Sequence, residues 1–79
     1  MKFIYATKPF QMTELSLQIG KLIRNKRIER NLSQESVALL SGIDRSYIGR
    51  IERGQVNITV EKLYVIAKVL DIPVKELLP

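Results

Sequence analysis

The 79-residue chain contains no cysteine, no histidine and no tryptophan. Without cysteine, neither a disulfide nor a thiolate metal site can hold it together. Without histidine it lacks the commonest general base at neutral pH and the commonest zinc ligand. No pair of carboxylates stands at a workable catalytic spacing either, so the expectation is a protein that is not an enzyme and that binds no metal or cofactor. No apolar run approaches the roughly 20 residues that a membrane span needs. The opening MKFIYATKPF has a lysine, but its apolar stretch is too short for a secretory signal. A soluble cytoplasmic protein with no membrane partner is therefore expected, and no feature points to a small-molecule effector.

What is present is a hydrophobic fraction of 46%, enough for a single folded domain with a modest core. Thirteen Lys and Arg against eight Asp and Glu give a net charge of +5. A basic excess of that size is compatible with a nucleic-acid partner but does not require one. The placement of the charges has to decide.

Residues 1–12 carry Phe3, Ile4, Tyr5 and Phe10 beside Lys2, Lys8 and Pro9, without a helical period. They are expected to form an extended N-terminal arm, separate from a domain spanning 13–79. From Thr13, a suitable N-cap, the pattern turns helical. Leu15, Ile19, Leu22 and Ile23 fall on one helical face, and Asn31 offers a stop. Ser33 caps a second helix whose inward positions are Val37, Ala38 and Leu40. Gly42 then permits the positive φ that a sharp helix exit needs. Asp44 caps a third helix, about 45–53, with Tyr47, Ile48 and Ile51 on its apolar side. Thr59 caps a fourth over 60–70, with Leu63, Ile66, Ala67 and Leu70 inward. Pro73 suits the first position of a short fifth helix. The predicted architecture is all-α: five helices joined by short connections.

The stretch QESVALLSGIDRSYIGRIER shows what the middle of the chain is for. Ala38 lets two helices approach, Gly42 makes the turn, and Ile43, Ile48 and Ile51 anchor the next helix from below. This fixes two helices at a steep angle, a helix-turn-helix. One face of the third helix is thereby committed to the core, and the opposite face carries Arg45, Ser46, Gly49 and Arg50. Arginine can give two parallel hydrogen bonds to guanine, serine can donate to or accept from several bases, and Gly49 would let a base edge come close. Arg45, Ser46 and Arg50 are therefore the candidate base contacts, in the major groove of double-stranded DNA. Ser33 and Gln34, at the start of the second helix, are placed for a phosphate. Tyr47, beside the turn, and Asn57, in the loop after the third helix, are further phosphate candidates. Duller roles compete: Arg50 with local carboxylates, Tyr47 in the core, Gln34 and Asn57 as caps.

The run RNKRIERNLSQESVALLSGIDRSYIGRIERG resembles the Cro/C1-type helix-turn-helix regulators, which include phage repressors, antitoxin-type regulators and the controller proteins of restriction–modification systems. KRIERNLSQESVA is similar to the end of the family's first helix and its second, GIDRSYIGRIERG to its turn and recognition helix, and ITVEKLYVIAKVLDIPVKELL to its two closing helices. The resemblance covers roughly residues 15–78, leaving out the arm. DRSYIGRIERG followed by NIT, in so short a chain, especially resembles controller proteins. The resemblance implies a compact lambda-repressor-like fold, a phosphate contact at Gln34 and base contacts at Arg45, Ser46 and Arg50. It also implies an ion pair between Arg27 and Glu52 that braces the first helix against the third.

A single helix reading three or four base pairs gives little affinity, and members of this family answer by dimerising on a palindromic site, with recognition helices about 34 Å apart. Ile72, Val74, Leu77 and Leu78, with Tyr64 and Val65 of the fourth helix, are the expected two-fold interface, although the same side chains also suit completion of the protein's own core. The expected function is a transcriptional regulator. The alternative is an antitoxin-like or protein-interaction module whose basic helix meets an acidic protein. RNA is disfavoured, because an A-form major groove does not admit such a helix.

Overall fold

The structure is a computed structural model and describes residues 12–79. The expected arm, apart from Met12, lies outside the described residues. Among the described residues four α-helices follow one another: α1 Glu14–Glu29, α2 Gln34–Ser41, α3 Arg45–Glu52 and α4 Val60–Leu70. The chain closes with a single 3-10 turn, Val74–Leu77, where a fifth helix was expected. The reason is length. One turn bears the nucleation cost of a helix with no propagation to offset it. The segment instead makes i→i+3 bonds, Glu76 N–H to Pro73 C=O at 3.0 Å and Leu78 N–H to Lys75 C=O at 3.2 Å.

The helix starts follow from local chemistry. Thr13, Ser33, Asp44 and Thr59 each accept a backbone N–H of the first turn with a side-chain oxygen, at 3.0 to 3.1 Å. Those bonds occupy donors that an uncapped helix leaves without partners. At Thr13 the bond is reciprocal, because the Ser16 hydroxyl accepts the Thr13 N–H. All four of these helices exit on left-handed residues, Asn31 at φ 57°, Gly42 at φ 75°, Gly54 at φ 72° and Asp71 at φ 58°. Gly42 matters most, since it opens the short α2–α3 connection.

The core takes Ile19 and Ile23 from α1, Val37 from α2, Ile48 and Ile51 from α3, and all four expected side chains of α4. Two expected positions are corrected. Leu15 is exposed, and the inner face of α1 is Ser16, Ile19, Gly20 and Ile23, a true i, i+3, i+4, i+7 set. The Ser16 hydroxyl is buried yet satisfied, bonded to the Gly54 carbonyl at 3.2 Å. Gly20 is where α1 crosses α3: a Cβ there would stand 2.4 Å from the Ile51 carbonyl oxygen and 2.7 Å from that of Glu52. Leu40 is likewise exposed, because α2 turns only one narrow edge, centred on Val37, toward α3 and α4.

A third correction concerns the expected dimer surface. Leu77 is 0% exposed and belongs to the protein's own core, so it is unavailable to a second copy. Ile72 and Val74 are half-buried against that core, and of the four only Leu78 is exposed. The terminal turn packs on α1 and α4, and that docking consumes its apolar side chains. Tyr64 and Val65 of α4, the other members of the expected surface, are exposed, as are Leu39 and Leu40 of α2; Leu40, Val65, Lys68 and Val69 line one shallow depression.

Candidate nucleic-acid interface

The site is built on α3, an eight-residue helix that would not be stable alone. Its inward side carries Ile48 and Ile51, both buried, and Glu52. Glu52 is the junction of three helices. Arg27 of α1 donates from Nε to Glu52 Oε2 at 2.6 Å and from Nη2 to Oε1 at 3.0 Å, a two-point pair, and from Nη1 to the Leu32 carbonyl at 2.9 Å. Gln34 of α2 donates from Nε2 to the same Oε1 at 3.0 Å. The hydrogen bond to Glu52 is the chief reason the Arg27 guanidinium is held above its ordinary pKa, against the opposing effect of burial. Among the described residues no buried side-chain nitrogen or oxygen lacks a partner.

The outward side of α3 carries Arg45, Ser46 and Arg50, all exposed. Ser46 donates both its backbone N–H and its hydroxyl to the Asp44 carboxylate. Those bonds, the hydroxyl's first, hold the Asp44 carboxyl below the usual carboxylate range. With its proton so directed, the Ser46 oxygen keeps its lone pairs for a donor arriving from outside. The Arg50 guanidinium lies over the Tyr47 ring, 5.5 Å from its centroid. Arg45 has no ion-pair partner among the described residues.

Gly49 departs from expectation. It is buried rather than open to a base edge: the space of its missing Cβ faces the Arg53 guanidinium at 3.1 Å and the Gln34 side chain at 3.6 Å. Gln34 is half-buried, and its amide is fixed by Glu52. Its backbone N–H, at the first position of α2, has no intrahelical partner and stays available to an anion. The Ser33 hydroxyl is occupied within the first turn, accepting from Ser36 N–H and donating to Ser36 Oγ, both at 3.0 Å. Tyr47 is half-buried at the start of α3, and Asn57 is exposed in the α3–α4 loop. The part of Gln34 in the ion-pair network carries no sequence signal, because its partner stands 18 residues away with nothing periodic between them.

Among the described residues no helix is long and apolar enough to cross a membrane.

Comparison with known proteins places this arrangement. The family model described as helix-turn-helix matches residues 23–77. The control protein C.SmaI of Serratia marcescens is 45% identical over 60 residues, covering 76% of this chain and 71% of that protein. The crystal structure of the restriction-modification controller protein C.AhdI from Aeromonas hydrophila superposes with a TM-score of 0.77 at 44% identity, over 78% of this chain and 94% of that one. The controller protein C.Esp1396I, solved as a tetramer in complex with its natural 35 base-pair operator, superposes with a TM-score of 0.73 at 32% identity, over 82% of this chain and 96% of that one. The chain therefore belongs to the Cro/C1-type helix-turn-helix family of transcription regulators, among the relatives of the restriction–modification controller proteins.

Proposed function

We propose that the protein is a controller-type transcription regulator that binds a palindromic operator as a homodimer, with α3 of each protomer in a major groove. The observation that carries this is the division of α3 into two faces. One is locked to α1 and α2 through Gly20, Arg27, Gln34 and Glu52. The other presents Arg45, Ser46 and Arg50 to solvent. A short helix so braced can offer arginines to guanine edges without first having to order itself.

In this role Arg45, Ser46 and Arg50 read bases. The backbone N–H of Gln34 meets a phosphate, as do Ser33, Tyr47 and Asn57 around it. The relative solved on its operator supports the same docking, since its chain and this one share the fold over most of their lengths. The two-fold contact is assigned to the exposed apolar side chains Leu40, Tyr64 and Val65 in place of the buried Leu77. A solvent-facing cluster of this kind on a small domain marks an interaction surface.

The deciding experiment is footprinting on the DNA flanking the protein's own gene, repeated across a salt series. A dimer neutralising about 6–10 phosphates should lose on the order of a thousandfold or more in affinity between about 50 and 200 mM salt, while protecting a symmetric site. Protection that is uniform along the fragment, with no symmetric site at any salt concentration, would overturn the proposal.

A further inference from the structure

The ring of Tyr47 is shared by two cations. Arg50, one turn further along α3, places its guanidinium carbon 5.5 Å from the ring centroid, and Lys62, in the first turn of α4, places Nζ at the same distance. Neither takes part in an ion pair among the described residues, where the pairs belong to Lys26 and Arg27. An aromatic face attracts a cation through its quadrupole but does not neutralise it. Two like charges gathered on one phenol ring therefore repel each other until an anion arrives between or beside them. The Tyr47 hydroxyl adds a neutral donor to the same cluster. Two unneutralised cations and a hydroxyl donor match the charge and hydrogen-bonding needs of a singly charged phosphodiester oxygen pair.

The cluster is also placed to meet one. Arg50 belongs to the outward face of α3, so a duplex that brings base edges to α3 brings its backbone to the rim of that helix, where α4 begins. We infer that Lys62 is a phosphate-contacting residue of the DNA interface, with Tyr47 as the positioning residue that holds Lys62 and Arg50 in place. This rests on α3 occupying the major groove. It gives α4 a direct part in binding DNA: α4 grips the strand beside the groove, and the contact carries no sequence preference.

The test compares Lys62→Gln with wild type in titrations of operator duplex and of an unrelated duplex over a salt series. Lys75→Gln, on the terminal 3-10 turn that packs on α1 and α4, serves as a control for loss of charge alone. Lys62→Gln should flatten the slope of log affinity against log salt by about one per protomer and weaken both duplexes by the same factor, roughly an order of magnitude per protomer near 0.1 M salt. Lys75→Gln should leave the slope unchanged. In a Tyr47→Leu background the effect of Lys62→Gln should shrink, because the ammonium has lost the ring that holds it. Thermal melts separate these effects from unfolding. If wild type selects its operator with a steep salt slope while Lys62→Gln keeps that slope, the inference fails and the docking of α3 stands. If wild type binds no duplex selectively, the docking fails and the inference with it.

Discussion

Removing the Glu52 carboxylate should be the most damaging single change to a polar group in this protein. The Glu52 side chain is 2% exposed and that of Arg27 12%. Glu52→Ala deletes the acceptor of three hydrogen bonds and leaves a guanidinium largely buried without a counter-ion. Breaking one partner out of such a pair costs about 3–5 kcal/mol. At about 0.05–0.15 kcal/mol per residue, a chain of this length has a total stability of about 4–12 kcal/mol, so the loss is about a quarter of the total at the least. For a domain of this size each kcal/mol moves the melting temperature by about 4–8 °C. Circular dichroism melts at a fixed protomer concentration, needed because dimerisation itself stabilises, should therefore show Glu52→Ala melting at least 12 °C or so below wild type, or already unfolded at room temperature. Because the pair is buried, the deficit should persist at about 1 M salt, where an exposed pair would be screened away. The double variant Arg27→Met, Glu52→Leu should recover most of the loss, since a well-packed apolar pair replaces a buried ion pair at little cost. A Glu52→Ala protein melting within a degree or two of wild type would show that the pair does not brace α1 against α3.

Arg45→Ala should cost about 1–3 kcal/mol of operator binding and relax base preference in a randomised-site selection, whereas Gln34→Ala keeps the backbone N–H that meets the phosphate and should lower the melting temperature slightly, having lost its bond to Glu52, weakening all duplexes alike only as far as α3 is loosened. Val65→Glu should sediment as a folded monomer and lose cooperative operator binding; an unchanged dimer would move the two-fold contact elsewhere. Gly20→Ala should destabilise by about 1–3 kcal/mol or more in the same melts, because its Cβ would meet backbone oxygens rather than a side chain that can move. Asp44 is held below the usual carboxylate range by Ser46, so its contribution to stability is complete above its unfolded pKa and disappears as pH falls through the lower folded value. An acid titration of Asp44→Asn, followed by circular dichroism, should accordingly lack part of the stability loss that wild type shows below about pH 4.

What could be read from the sequence was what is local. Thr13, Ser33, Asp44 and Thr59 act within three residues of themselves, and Asn31 and Gly42 act on their own φ, so each helix boundary is written where it occurs. The α4 face was legible because every inward residue is apolar. The α1 face was not. Its two close contacts are made by a serine and a glycine, residues that an apolar template passes over in favour of Leu15 and Leu22. The same blindness exchanged Leu40 for Leu77: both are leucines in amphipathic surroundings, and only the packing of the terminal turn on α1 and α4 decides which one is covered. The Arg27–Glu52 pair spans 25 residues and was visible only through resemblance, and the addition of Gln34 to it not at all.

These buried devices bear directly on how DNA would be read. Eight residues do not make a helix in water, so the conformation of α3 is supplied by Ile48, Ile51, the Gly20 crossing and the Glu52 junction rather than by its own propensity. Arg45 and Arg50 inherit their positions from that support. Variants should then fall into two groups according to which side of α3 they touch. Changes at Arg45, Arg50 or Lys62 should alter affinity while the melting temperature stays put, because they remove exposed groups from an intact helix. Changes at Gly20, Arg27 or Glu52 should lower both together, because a loosened α3 must be reordered on the duplex, and that reordering subtracts from binding. Plotted against each other, melting temperature and log affinity should show the inner-face variants on a rising line and the outer-face variants on a vertical one at the wild-type melting temperature. Inner-face variants that melt early yet bind with full affinity would mean that the duplex itself organises α3, and that the bracing serves the fold alone.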